Sequence, residues 1–367
     1  MNIDLNLDHM PRLPEKKDWR IGCVGAGFIM RDIHLVAYGR AGYNVVAITS
    51  DEPEQTRAAA ERHGIPKLYE SYQELVADES IEVLDIAVPP HVQLDVMRAA
   101  VRQRGHIKGI LAHKPLAVNY QDARKIVALC EDAGIVLGVN QNMRYDHSIR
   151  ALKTLLDRGY LGDPILGTIE MRAGPHWAEW CSLYGRLTLL IMSIHHLDTF
   201  RFLFGEPESV YASARPDPRF DFAHQDGIVL YILEYANGFR ATAWDDVWAG
   251  AHPAAARDTY IKWRVEGAEG MAEGSIGWPS YPNAVPSTLR FTTVREPGVW
   301  LAPEWKETWF PDAFQGTMGM LLDALNTGNP PAISGRDNLK TMALVEASYR
   351  SLAEHRPVSI REIIEED

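Results

Sequence analysis

Between Trp19 and Asn142 the chain repeats one pattern: a run of four to six nearly continuous apolar residues, then a segment of helical period. The runs are Arg20–Val24, Asn44–Ile48, Val83–Val88, Gly109–Ala112 and Ile135–Val139. Apolar character without alternation is what a strand buried on both faces requires, and such burial is typical of parallel sheets covered by helices. Helix starts are written into the gaps. Ser71 stands three residues before Glu74, and Asn119 three before Asp122, each an oxygen cap ahead of an acidic residue at the third helical position. Repeated strand, helix, strand units predict a doubly wound α/β sheet over residues 17–142.

The pattern changes after a helix that begins near Tyr145. Asp226–Tyr235 (DGIVLYILEY) and Phe239–Val247 (FRATAWDDV) alternate like strands with one wet face, and Asn237-Gly238 between them is a tight-hairpin dipeptide. Residues 143–367 therefore predict an α+β domain with an open, largely antiparallel sheet, flanked by helices at about Thr188–Leu203, Phe314–Asn326 and Asn338–Glu354. Residues 1–16 read as a loosely held arm. A chain of 367 residues is long enough for both domains to bury cores.

A formal net charge of −12 disfavours nucleic acid and anionic membrane surfaces as partners. No stretch reaches the roughly 20 apolar residues that span a bilayer, and the opening MNIDLNLDHMPRLPEKK lacks a signal-peptide layout. A cytoplasmic location is expected. Cys23, Cys130 and Cys181 lie far apart with no C-x-x-C pair, so neither a disulfide framework nor a metal site is expected.

The first run leads directly into Gly25-Ala26-Gly27-Phe28-Ile29-Met30 and then a helical period to about Tyr38. A strand, a glycine turn and a helix in that order bring free N–H groups and the helix dipole to a pyrophosphate. Met30 stands where such motifs carry a third glycine. At the end of the second run, Ser50-Asp51 lies about twenty residues on, where a carboxylate would accept ribose hydroxyls. Asp51, Glu52 and Glu54 precede the first base, Arg57, which favours NAD over NADP. Asp51 also suits a helix cap ahead of Pro53.

The run Gly109–Ala112 ends in His113-Lys114-Pro115, and the carboxyl ends of such strands open onto the ligand crevice. Together the glycine turn, Val88-Pro89-Pro90, Lys114-Pro115, Asn142–Asp146 (NMRYD) and Ile194–Asp198 (IHHLD) resemble the glucose-fructose oxidoreductase and inositol dehydrogenase family, GFO/IDH/MocA, from Trp19 to Ile360. The resemblance implies a Rossmann domain followed by an open-sheet domain, with members that oxidise or reduce a hydroxyl of a sugar, cyclitol or related compound. It matches Lys114 to the lysine of the family's Glu-Lys-Pro motif, which touches nicotinamide and substrate. It matches His195 to the histidine of the Asp-x-Gly-x-His motif, the usual proton acceptor. An imidazole titrating at about 6.5 suits that role, and an ammonium stabilises developing negative charge on oxygen.

Expected cofactor contacts are Gly25, Gly27, Phe28, Ile29, Ser50, Asp51, Pro89, Pro90, His91, His113, Lys114 and Asn142. Expected substrate contacts are Lys114, His176, Trp177, His195, His196 and Trp248, the tryptophans because their faces pack on the C–H faces of sugar rings. Two positions depart from the family: His113 stands for Glu, and Ile191 for the Asp of the histidine motif. His196, Asp198, His176 and Asn142 are candidates to supply the missing polar group, and Asp198 sits three residues past His195 on one helical face. The expected activity is hydride transfer to or from a hydroxyl carbon of a sugar, sugar acid, glycoside or cyclitol. Transient oxidation leading to cleavage or elimination is one alternative, and a noncatalytic sugar or dinucleotide sensor another. An open sheet with one apolar face also predicts a homodimer or homotetramer.

Overall fold

The computed structural model describes residues 3–103, 105–173, 179–247, 259–277, 283 and 285–366. The chain divides into two compact units. The first comprises Pro11–Asn142 and Phe310–Met342; the second comprises Met1–Met10, Met143–Trp309 and Ala343–Asp367.

In the first unit, β1 (Ile21–Val24), β2 (Val45–Thr49), β3 (Lys67–Tyr69), β4 (Val83–Ile86), β5 (Gly109–Ala112) and β6 (Val136–Val139) form a parallel sheet ordered β3-β2-β1-β4-β5-β6. Helices α1 (Leu35–Ala41), α2 (Pro53–His63), α3 (Tyr72–Ala77), α4 (Pro90–Val101) and α5 (Tyr120–Asp132) fill the connections. All residues of β1, β4 and β5 are buried, which is why their sequences run apolar without alternation. The short strand β3 has no such signal, because it lies at the sheet edge with Lys67 and Leu68 exposed. Both capping signals hold: the Ser71 hydroxyl accepts from Glu74 N–H at 3.2 Å and Asn119 Oδ1 from Asp122 N–H at 2.8 Å. The helix after the glycine turn differs from a plain α-helix. It opens as a π-helical turn, Ile29–His34, before continuing as α1.

In the second unit, α6 (His147–Asp157) and β7 (Pro164–Arg172) precede a π-helical turn, Leu189–Ser193, that leads into α7 (Ile194–Phe204). Strands β8 (Ser209–Arg215), β9 (Ile228–Glu234), β10 (Arg240–Asp246), β11 (Tyr260–Gly267), β12 (Gly270–Ser275) and β13 (Thr288–Thr293) follow. After them α8 (Phe314–Thr327) belongs to the first unit, and α9 (Gly335–Glu354) runs across the division between Met342 and Ala343. The chain ends in β14 (Val358–Ser359) and α10 (Ile360–Glu365). The sheet is ordered β13-β12-β11-β7-β10-β9-β8-β14, with only β7 and β10 parallel. Gly238 takes φ +86° in the β9–β10 hairpin, and Asn237 Oδ1 accepts from Phe239 N–H at 3.1 Å.

Two expectations about domain limits need correction. Phe310–Met342, assigned from sequence to the second domain, folds with the first. There α8 packs on β5, β6 and α1, burying Phe314, Met318, Leu321 and Leu322. Gly109 leaves the room: a Cβ on it would come within 3.0 Å of Leu325 and 3.4 Å of Leu321. Residues 3–16, the described part of that segment, are also not a loose arm. Leu7 is buried, Asp4 N–H donates to Tyr160 Oη at 3.3 Å, and Arg150 Nε donates to the Asp8 carbonyl at 3.1 Å. Pro11 onward joins the first unit, where Asn326 Nδ2 donates to the Lys16 carbonyl at 3.1 Å. No helix among the described residues is long and apolar enough to cross a membrane.

The entry to α7 is fixed by a buried carboxylate from before β9. Asp226 accepts Leu187 N–H at 2.8 Å through Oδ1, and Leu189 N–H at 2.7 Å and Tyr349 Oη–H at 2.8 Å through Oδ2. Burial outweighs these hydrogen bonds and pushes its pKa up to about 6. The folded state then holds more protons than the unfolded state between pH of about 4, the ordinary carboxylate value, and about 6. Stability should therefore fall as pH rises through that window, by an amount on the order of 2–3 kcal/mol. Urea unfolding of Asp226→Asn from pH 4 to 7 should show that slope reduced; an unchanged slope would show that other groups carry it.

Candidate active site

Every residue expected to meet the cofactor lies in the first unit, at or just beyond the carboxyl ends of β1, β2, β4, β5 and β6. Gly25 N–H donates to the Thr49 carbonyl at 2.8 Å, tying the end of β1 to that of β2. Gly25 has φ +105°, and a Cβ there would sit 2.4 Å from the Ala87 carbonyl oxygen, so no other residue fits. Gly27 is the opposite case: a Cβ on it would meet no atom within 4 Å. Open space therefore faces the start of the helix, as an anion held by free N–H groups requires. Phe28 is 50% exposed beside it, and Ile29 begins the π-helical turn.

At the end of β2, α2 takes Glu52 as its cap residue, so Asp51 is not the cap. The Asp51 carboxylate is exposed and makes no hydrogen bond or ion pair among the described residues. Ser50 is engaged locally, its hydroxyl 2.6 Å from Thr56 Oγ1 and 3.1 Å from the Glu52 carbonyl. Pro89 caps α4, Pro90 opens it, and His91 follows, exposed.

Beyond β5 the turn His113-Lys114-Pro115 is pinned by α4: Gln93 Nε2 donates to the His113 carbonyl at 3.0 Å and the Pro115 carbonyl at 2.8 Å. His113 Nδ1 lies 2.7 Å from the Lys114 carbonyl, which can only accept, so Nδ1 carries the proton. Its Nε2 is buried with no hydrogen-bond partner among the described residues. Burial, then the Lys114 ammonium, then His34 hold the His113 pKa well below the ordinary histidine value. A neutral imidazole thus stands where the resemblance implies a carboxylate. Lys114 is half-buried, and Asn142 is buried with Nδ2 donating to the Asn140 carbonyl at 3.3 Å.

The second unit places His195 in the first turn of α7, buried, with its ring edge-on to Trp309 at 5.6 Å and 85°. Ile191 lies in the preceding π-helical turn. His196 Nδ1 lies 2.8 Å from Asp245 Oδ1 on β10, and the Ser193 hydroxyl donates to Asp245 Oδ2. Asp198 accepts from Arg144 Nε and Nη2, each at 2.6 Å, in a buried fork. Of the groups considered for the role vacated at Ile191, His196 therefore faces Asp245 and Asp198 is bound by Arg144. Asn142 belongs to the first unit. His176, Trp177 and Trp248 lie outside the described residues.

Sequence reasoning passed over Gln93, Asp85, His34, Asn140 and Asp245. One signal was present: Asp85 interrupts the buried run Val83–Ile86, where a charge needs partners. Its partner His34 lies 51 positions earlier, and nothing local points to it.

Comparison with known proteins shows the family and the fold. Residues 19–141 match the model of an oxidoreductase family with an NAD-binding Rossmann fold, and residues 149–273 match the GFO/IDH/MocA C-terminal domain. The chain is 30% identical over 363 residues to D-apiose dehydrogenase of Paraburkholderia graminis, covering 95% of this chain and 91% of that protein. It is 24% identical to myo-inositol 2-dehydrogenase of Thermotoga maritima over 94% of this chain and 99% of that one. Among solved structures, an oxidoreductase from Agrobacterium radiobacter in complex with NAD+, L-tartaric acid and magnesium shares the fold. Its TM-score is 0.79 at 24% identity, covering 94% of this chain and 99% of that one. The chain belongs to the GFO/IDH/MocA oxidoreductase family and is an NAD(P)-dependent oxidoreductase acting on an alcohol carbon.

Proposed function

We propose that the chain is a dehydrogenase of a sugar, sugar acid, glycoside or cyclitol, with Lys114 and His195 acting on the substrate hydroxyl. The observation that carries this reading is the likeness to D-apiose dehydrogenase along 95% of the chain. The residues fit a dinucleotide. Gly27 leaves the helix start open, the Asp51 carboxylate is unengaged, and His113 Nε2 offers a buried acceptor. When bound, the nicotinamide supplies the hydride acceptor or donor. Gly25, Gly27 and the turn that begins at Ile29 would hold the pyrophosphate, and Asp51 the adenosine ribose. Pro89, Pro90, His91, His113 and Asn142 would surround the remainder.

For oxidation, a ring nitrogen of His195 takes the hydroxyl proton while the Lys114 ammonium stabilises the charge left on oxygen; reduction reverses both. Trp309 against His195 keeps one side of that ring dry. A cytoplasmic site of action is part of the proposal and is supported by three buried, unbridged cysteines. So is a homodimer or homotetramer. The outer sheet face exposes Leu230 (52%), Ile232 (45%) and Tyr211 (40%). Beside them Glu170, Lys262, Arg264, Glu273 and Arg290 line a groove of about 590 Å³, with both charge signs present for pairing with a second copy.

Three measurements test these assignments. NADH should bind about tenfold or more tightly than NADPH, because Asp51, Glu52 and Glu54 repel a 2′-phosphate. Equal or tighter NADPH binding would overturn this and make Ser50 a phosphate ligand. His195→Ala should lower turnover by roughly 10² to 10⁴, the usual contribution of a positioned base, with NADH affinity nearly unchanged. Wild-type turnover in that variant would move the base to His196 or His176. Sedimentation at micromolar concentration should show a dimer or tetramer, and a monomer would contradict the proposed pairing.

A further inference from the structure

The first unit contains a buried polar chain that hydride transfer does not use. Asp85 lies in β4, otherwise apolar and buried throughout. Its Oδ2 accepts from Tyr38 Oη at 2.6 Å and from His34 Nδ1 at 2.7 Å. His34 Nε2 in turn lies 2.9 Å from Asn140 Nδ2, which donates to it. All four side chains are buried. A buried carboxylate needs partners of this kind, yet well-packed apolar residues stabilise a fold as well or better. Stability alone therefore gives little account of the chain, and its position gives more.

His34 ends the π-helical turn that follows the glycine turn, and π-turns are frequent at functional sites. Its ring stacks on His113 at 5.8 Å and 30°, immediately before Lys114. Its partner Asn140 donates its N–H to the Ala112 carbonyl at 2.8 Å, and the Asn140 carbonyl accepts from Asn142. One imidazole thus meets all three segments that flank the proposed nicotinamide site: the turn beginning at Ile29, the turn after β5 and the segment after β6. We propose that His34 is a positioning residue, whose two hydrogen bonds and stacked face set Lys114 and Asn142 before the cofactor arrives. The inference rests on the cofactor reading above.

The test compares His34→Phe, which keeps a ring but removes both hydrogen bonds, with His34→Gln, which can restore one donor and one acceptor. Leu75→Ala, a buried core truncation, is the control for general loss of stability. NADH affinity is read by nicotinamide fluorescence, and amide exchange is read in the cofactor-free protein. His34→Phe should weaken NADH by about tenfold, the equivalent of roughly one buried hydrogen bond, and speed exchange selectively over residues 112–116 and 139–142. His34→Gln should recover part of the affinity, and Leu75→Ala should leave it unchanged. Wild-type NADH affinity in His34→Phe, at a melting temperature as low as that of Leu75→Ala, would overturn the proposal. If His34→Phe does not fold, Asn140→Ala removes only the donor to Nε2 and should move both readouts the same way; unchanged readouts would again overturn it. If the wild-type protein binds no NADH, the cofactor reading fails, and exchange confined to the two segments or spread through the unit decides the role of His34.

Discussion

A four-residue parallel strand buried on both faces has no place for chemistry along its length, and the first unit obeys that constraint almost completely. Its polar groups of interest sit where strands end: Gly25 after β1, Asp51 after β2, Lys114 after β5 and Asn142 after β6. The strand order reverses between β1 and β4, so these ends border one crevice. Asp85 is the exception, and its cost is offset by Tyr38 and His34. A carboxyl group inside the sheet is thereby linked to the residues on its rim.

The second unit solves a different problem, holding one helix in place with carboxylates. Asp226 takes the N–H groups at the entry to α7, Asp245 takes Ser193 and approaches His196, and Asp198 within the helix is gripped by Arg144. Each contact is buried, where hydrogen bonds to charged groups are worth roughly 1.5–3 kcal/mol. His195 is then presented from a helix with little freedom to turn. Ile191 has no carboxylate to offer, and the Asp245 carboxylate is directed at Ser193 and His196.

Much of this was legible because the signals are local. Buried parallel strands, oxygen caps, the Asn237-Gly238 hairpin and the glycine turn each write themselves into a few adjacent residues. What escaped was either too short or nonlocal. Strand β3 has three residues at an edge, where burial imposes no pattern. Helix α8, Phe314–Thr327, covers β5 and β6 from far downstream in the sequence, a placement set by the space above Gly109 rather than by its own period. Leu7 anchors the N-terminal segment through a buried side chain, while Leu5, Met10 and Leu13 in the same stretch stay exposed, so apolar character alone does not mark the anchor. The His34–Asp85 pair required a spatial neighbour that sequence order does not supply. The cap reading of Asp51 is settled by geometry as well, since Glu52 takes the cap position and α2 begins at Pro53.

The proposed function rests on one event, the departure of a hydride from a hydroxyl-bearing carbon of a sugar-like substrate to the nicotinamide. The most direct measurement offers the wild-type enzyme NAD with aldoses, sugar acids and cyclitols carrying deuterium at each oxidisable carbon, then weighs the recovered cofactor. At least one substrate should yield reduced nicotinamide carrying the deuterium, together with the matching carbonyl or lactone product. Reduced cofactor free of deuterium, or tight cofactor binding with no reduction by any compound of these classes, would contradict this transfer.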